Sequence, residues 1–108
     1  MRTLRFIVDA ENIKCDPACD FSGLFPGRNP HIRAEFTFTP EWNDKAKVVA
    51  FWSILDAEYE PQELDNDSSC VIPSEALSRA SFKIQVLGKR GNTKLITNKL
   101  TVRQTGGR

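Results

Sequence analysis

Alternation of apolar and polar residues with a period of two constrains this fold more than any other feature of the sequence. The clearest example is HIRAEFTFT, residues 31–39, whose apolar set is Ile32, Ala34, Phe36 and Phe38. Side chains of a β-strand point alternately to opposite faces, so this pattern predicts a strand that is buried on one face. Helical periodicity is nearly absent from the chain. The sequence therefore predicts an all-β protein.

Further strand-like segments follow one another at close spacing, with turn residues between them. In chain order they read RTLRFIVD, AKVVAFWSIL, AEYEPQEL, CVIP, SFKIQVLG and KLITNKLTVRQ. AEYEPQEL is expected at a sheet edge because Pro61 cannot donate to a ladder and the charges discourage pairing. SEALS is expected to form one helical turn that Ser74 caps. About seven short strands in this order indicate an antiparallel β-sandwich of immunoglobulin-like kind.

The alternation also predicts which side chains fill the interior. We expect one domain over residues 1–108, with a frayed C-terminus at about 104–108. A chain of this length buries roughly two thirds of its unfolded surface and needs no disulfide or metal to hold a core. The predicted core members are apolar residues that alternate with polar neighbours or lie in the most apolar strand: Phe6, Phe36, Phe38, Phe51, Phe82, Ile84, Val86, Ile96 and Leu100.

Charge is distributed unevenly along a chain whose formal net charge is only +1. Residues 1–78 carry 7 Lys/Arg against 14 Asp/Glu, and residues 79–108 carry 8 Lys/Arg and no acid. Three interpretations stay open. The two parts neutralise each other on folding, the basic end contacts a partner, or it binds nucleic acid, although nucleic-acid binders usually have a basic excess overall. No apolar run approaches the roughly 18 residues of a membrane span, so we expect no membrane partner.

Residues able to carry out catalysis are scarce. The chain has one histidine, His31, and three cysteines, Cys15, Cys19 and Cys70, without a second pair to complete a zinc site. The acidic segment 56–67 lacks the glycine and the bidentate glutamate of a calcium loop. We therefore expect no enzyme activity, metal, cofactor or small-molecule substrate. The start of the chain has no apolar h-region, so we expect no signal peptide and three free thiols.

Four motifs in order resemble a known family. FTFTPEW, KVVAFW, CVIPSEAL and FKIQVLGKRGNTKLITNKL are similar to the immunoglobulin-like module of bacteriophage baseplate upper proteins and related tail modules. The shared plan is an F-x-F strand, a Trp in the following turn, a C-x-IP segment and a glycine-containing basic hairpin. The resemblance covers roughly residues 32–102. It implies a virion structural protein that binds other proteins, is made in the host bacterial cytoplasm and has no catalytic site.

The site of such binding follows from strand register. A three-residue loop at Arg90-Gly91-Asn92 would pair Val86–Ile96, Ile84–Asn98 and Phe82–Leu100 inside, and Leu87–Leu95, Gln85–Thr97 and Lys83–Lys99 outside. Two opposed lysines are destabilising alone, so an acidic group should lie against them, from the same chain or from a partner. We predict an assembly face of Lys83, Leu87, Leu95, Lys99 and Arg103. Its acidic counter-face, on a second copy of the chain bound head-to-tail, would be Asp56, Glu58, Glu60 and Glu63. Other virion proteins are also expected as partners. The alternatives are capsid decoration and a module that binds a host surface or carbohydrate.

Overall fold

The computed structural model describes residues 2–21, 23–27 and 32–104. This part of the chain forms nine strands in two sheets, rather than the predicted seven, with one short α-helix. The strands are β1 (Arg2–Asp9), β2 (Asn12–Cys15), β3 (Ile32–Phe38), β4 (Ala46–Trp52), β5 (Gln62–Glu63), β6 (Ser69–Val71), β7 (Ser81–Arg90), β8 (Thr93–Ile96) and β9 (Leu100–Arg103). The helix α1 spans Ser74–Leu77, and a 3-10 turn spans Pro40–Trp42. The all-β prediction is confirmed.

The first sheet has four strands in the order β2-β1-β3-β6. A tight turn at Ala10, whose φ is 52°, folds β2 back against β1. Because β2 returns the chain to the end of the sheet where β1 starts, β3 begins beside Arg2 and runs parallel to β1. The prediction of a wholly antiparallel sandwich is therefore wrong. The alternating pattern gave no sign that Asn12–Cys15 forms a strand of its own and reverses the chain before β3.

The second sheet has five strands in the order β5-β4-β7-β8, and β9 pairs with β7 beside β8. The apolar strand β4 lies in the interior of this sheet, as its composition predicts. The segment around Pro61 lies at the edge, where only Gln62 and Glu63 pair with β4. The predicted single strand KLITNKLTVRQ is divided in two, since residues 97–99 lie between β8 and β9.

The core lies between the sheets and includes most of the predicted residues. Six of them are buried: Phe6, Phe36, Phe51, Phe82, Ile84 and Val86. Phe38 and Leu100 are partly buried against this cluster. Ile96 is 45% exposed, so its assignment to the core is wrong. Burying one such aromatic or aliphatic side chain contributes about 1.5–3 kcal/mol, so the alternating strands supply most of the driving force for folding.

Trp42 closes one end of the sandwich. Its side chain is fully buried, and its indole Nε1 donates a hydrogen bond to the Ala10 carbonyl over 2.8 Å. Gly88 of β7 faces the indole ring so closely that a Cβ at this position would lie 2.6 Å from Cζ3. The indole of Trp42 can lie this close to β7 because glycine has no side chain. The turn after β3, the β1–β2 turn and β7 are thereby held together.

The remaining expectations concern chain segments outside the sheets. The helical turn at SEALS forms, but Pro73 and not Ser74 occupies its N-cap, and no side chain caps it. Gln104 is buried and donates to the Leu77 carbonyl over 2.9 Å, so it is anchored rather than frayed. The rest of the predicted fray and His31 lie outside the described residues. No described helix is long and apolar enough to cross a membrane.

Candidate interaction surface on the five-stranded sheet

The outer face of the five-stranded sheet is the face that points away from the other sheet. Along β7, burial alternates residue by residue from Phe82 to Gly88. The even-numbered residues face the core, so Lys83, Gln85, Leu87 and Lys89 point outward. The predicted inward and outward residues of β7 are therefore correct. Which residues lie beside them on the outer face depends on how the next strand pairs with β7.

The turn between β7 and β8 corrects the predicted register. It has two central residues, Gly91 and Asn92, since Arg90 pairs with Thr93. Gly91 has a φ of +57°, and glycine at the first central position is the requirement of a type II′ hairpin turn. With two turn residues instead of three, Leu87 pairs with Ile96 and not with Leu95. Ile96 thus joins the outer face.

Leu95 lies on the opposite face, opposite Gly88, and packs against the core. It is therefore not on the outer face with Lys83 and Leu87. The signal that identifies Ile96 in its place is the Gly-Asn dipeptide, which is typical of two-residue hairpins. The prediction placed Ile96 in the core, and it therefore chose a three-residue loop over the two-residue turn that Gly-Asn indicates. That choice assumed that one continuous strand follows the turn.

The strand after the turn is not continuous. Residues 97–99 form a bulge, in which three residues lie opposite only two residues of β7. The extra residue shifts the pairing, so even-numbered residues of β9 lie opposite even-numbered residues of β7. Phe82 pairs with Val102, Lys83 with Thr101 and Ile84 with Leu100. The predicted pairs Phe82–Leu100, Lys83–Lys99 and Ile84–Asn98 are therefore wrong, as are the three predicted pairs nearer the turn.

Side chains of the bulge replace the missing ladder bonds. The Thr97 N–H donates to the Val86 carbonyl, while the Val86 N–H donates to Thr97 Oγ1, both over 3.0 Å. Asn98 reaches the other sheet, where its Oδ1 accepts from the Ile13 N–H over 2.9 Å. The Asn98 N–H donates to the Glu11 carbonyl over 3.2 Å. The bulge therefore joins the edges of the two sheets.

Lys83 and Lys99 do lie close together, and an acidic group lies against them. Asp56 of the same chain contacts the Lys83 ammonium at 3.0 Å and the Lys99 ammonium at 3.2 Å. Hydrogen bonds from these two lysines lower the pKa of Asp56 below its usual 3.8. The Lys99 ammonium also lies 3.8 Å from the centre of the Trp52 ring, a cation–π contact. Their counter-charge is thus supplied within the chain.

The other predicted acids form no ion pair with these lysines within the described part of the chain. Glu58 forms an isolated bridge with Trp52, Glu60 is exposed, and Glu63 pairs with Val48 at the sheet edge. Arg103 is exposed on β9, opposite Ser81. Reversing both lysines to Glu would surround Asp56 with carboxylates. We therefore expect that change to disturb the turn containing Asp56.

An apolar strip occupies the other half of the outer face. Val48, Leu87 and Ile96 lie in one row across β4, β7 and β8. Together with Ala46 they line a depression of about 470 Å³. Lys89 and Lys94 lie at its rim and are directly opposite each other. Sequence reasoning identified only Leu87 of this group, because the strip depends on the pairing of three strands.

The remaining chemically reactive groups of the described residues are possible metal ligands and thiols. No group of three or more His, Cys, Asp or Glu side chains able to hold a metal ion occurs among them. The three cysteines carry free thiols, and burial raises the pKa of Cys70 to about 12. Burial, and secondarily the neighbouring Cys19, also raises the pKa of Cys15. No family of proteins, curated protein or solved structure matches this chain.

Proposed function

We propose that this chain is a non-enzymatic structural component of a bacteriophage particle. In this proposal it holds another particle protein on the outer face of its five-stranded sheet. The observation that carries the binding role is the strip formed by the half-buried Val48 and Leu87 and the exposed Ile96. Contiguous exposed apolar patches with polar rims mark sites of protein–protein contact. Here the rim is basic, so the partner is expected to be acidic where it meets the strip.

The strand order supports an immunoglobulin-like module of a modified kind. The pairing of β3 with β6 corresponds to the B–E pair of such modules, and the order β5-β4-β7-β8 corresponds to C′-C-F-G. The module departs from that plan in its first strand, because β1 is parallel to β3 and carries the additional strand β2. The strand order is the basis for proposing an immunoglobulin-like module. The sequence resemblance is the basis for proposing a bacteriophage protein.

Two of the four motifs that carry the resemblance contribute residues to the proposed surface. FTFTPEW covers the end of β3 and the turn with Trp42, and CVIPSEAL covers most of β6 and α1. KVVAFW lies in β4 and includes Val48. The longest motif, residues 82–100, forms β7 and β8 and so contributes Leu87 and Ile96 to the strip. A virion protein of this kind works in the assembled particle after synthesis in the host cytoplasm.

Cross-linking in purified particles tests this function. A photo-cross-linking amino acid is placed at Ile96 and, as a matched control, at Val71. Both are exposed aliphatic residues of edge strands, at 45% and 42%, but Val71 lies on the other sheet. We expect the chain to be found in the particles and to cross-link to one particle protein from position 96 only.

Three outcomes would overturn the proposal. They are absence of the chain from particles, equal cross-linking from both positions, and binding to a glycan array without any protein cross-link. The last would favour the host-surface alternative.

A further inference from the structure

Lys89 and Lys94 are an unbalanced pair of charges. They lie directly opposite each other on β7 and β8, where like charges repel. The similar conflict between Lys83 and Lys99 is relieved by Asp56. Within the described part of the chain, neither Lys89 nor Lys94 forms an ion pair. The local charge therefore favours an acidic group that comes from another molecule.

The edge of β8 offers that molecule backbone hydrogen bonds. Thr97 donates to Val86, so Thr97, and by alternation Leu95, direct their backbone groups toward β7. The N–H and C=O groups of Lys94 and Ile96 then point away from β7. Among residues 32–104 and the other described segments, no strand pairs with β8 on that side.

The other edge segments of the five-stranded sheet are less able to accept an added strand. β5 is only two residues long, follows Pro61 and is surrounded by carboxylates. The bulge after β8 is tied to β2 through Asn98. A lysine on an edge strand discourages pairing with neutral or basic strands, but it attracts an acidic one. Lys94 therefore restricts the strands that β8 accepts without closing the edge.

We propose that β8 receives an extended segment of the partner protein as an additional strand. The segment places a carboxylate side chain opposite Lys94 and an apolar side chain opposite Ile96. These two positions are two residues apart, so both side chains project onto the outer face and the apolar one extends the strip. Backbone bonds provide affinity in such strand addition, and alternate side chains provide specificity. This inference rests on the proposed function, because it names the partner's chemistry at the same surface.

Peptide titration of the isotope-labelled protein tests the inference. The probe is a blocked seven-residue peptide with valine at its centre, glutamate two residues to either side and threonine elsewhere. Its symmetric pattern fits either strand direction. One control peptide has lysine in place of glutamate. A second carries N-methyl groups on the valine and on the threonine that follows it, which removes a donor to β8 in either strand direction. Binding is followed by amide chemical shifts and by hydrogen exchange.

We expect the glutamate peptide to slow exchange at the Lys94 and Ile96 amides. Both control peptides should bind about tenfold more weakly or worse, and Lys94→Glu should reverse the preference between the two charged peptides. Lys14→Glu, a charge reversal on the edge strand β2, should change nothing.

Several results would overturn strand addition. They are equal affinity for the glutamate and N-methylated peptides, protection elsewhere than β8, and tighter binding of a single-stranded oligonucleotide at physiological salt. If position 96 cross-links in particles and the peptide still gives no protection, only this inference fails. If position 96 gives no cross-link, the proposed function fails whatever the peptides do.

Discussion

Replacing Gly88 by alanine tests how closely β7 packs against Trp42. A Cβ added at Gly88 would lie 2.6 Å from Cζ3 and 2.8 Å from Cε3 of the indole. Ordinary carbon contacts are about 3.5–4.0 Å, so the ring must move by nearly 1 Å. The indole has little freedom to move, because it is fully buried and its Nε1 is bonded to the Ala10 carbonyl.

The expected loss of stability follows from two opposing effects. Overpacking a core costs about 1–3 kcal/mol, and loss of the indole hydrogen bond would add about 1 kcal/mol. Alanine also restricts the unfolded chain and gains about 0.4–1 kcal/mol where the backbone conformation suits it. The backbone at Gly88 is that of an ordinary strand. We expect Gly88→Ala to lower the free energy of unfolding by about 2 kcal/mol.

The cause is isolated by repeating the change with Trp42→Leu, which removes the atoms that clash. In that background Gly88→Ala should be neutral or slightly stabilising, which gives a coupling energy of about 2 kcal/mol. Gly91→Ala is the control. Its φ of +57° strains any other residue, but its Cβ would meet nothing within 4 Å. Its cost should therefore be the same in both backgrounds.

Urea unfolding followed by far-UV circular dichroism measures all of these variants, since tryptophan fluorescence would change with residue 42. If the slope of the unfolding free energy against urea concentration is the same in all variants, they share one unfolding transition. If Gly88→Ala costs nothing, or costs the same with leucine at position 42, the steric explanation is refuted.

Three further predictions concern the electrostatics, a thiol and the bulge. The pKa of Asp56 is lowered on folding, so its stabilising effect is present above its usual pKa of 3.8 and is lost as pH falls through the lower folded value. Asp56→Asn should therefore reduce the loss of stability measured by urea unfolding between about pH 4 and pH 2, and an unchanged loss would contradict this. Cys70, with its pKa raised to about 12, should react with a thiol reagent at pH 8 only after unfolding, and labelling as fast as in the unfolded chain would exclude its burial. Asn98→Ala should cost about 1–3 kcal/mol by removing the acceptor of the Ile13 N–H, whereas the exposed Asn66→Ala should cost less than about 0.5 kcal/mol.

Local sequence was enough to predict most of the strands and several of the largest core side chains. The side chains of Phe36 and Phe82 are buried because alternation along a strand is a property of the backbone itself, independent of which strand lies alongside. Residue chemistry likewise predicted that Pro61 marks a sheet edge, because proline has no N–H to donate. It could not predict that β1 and β3 run parallel, since strand direction depends on the path of the whole chain.

The candidate surface was determined by the tertiary structure. A change of one residue in a turn moves every following side chain to the other face, so the two-residue turn at Gly91 exchanged Ile96 for Leu95 on the outer face. The neutralisation of Lys83 and Lys99 likewise depends on Asp56, which lies 27 and 43 residues away along the chain. Sequence by itself determined which residues alternate and are apolar. Pairing between distant segments decided which of them meet, because register and ion pairs are set by turns, bulges and packing that no single segment encodes.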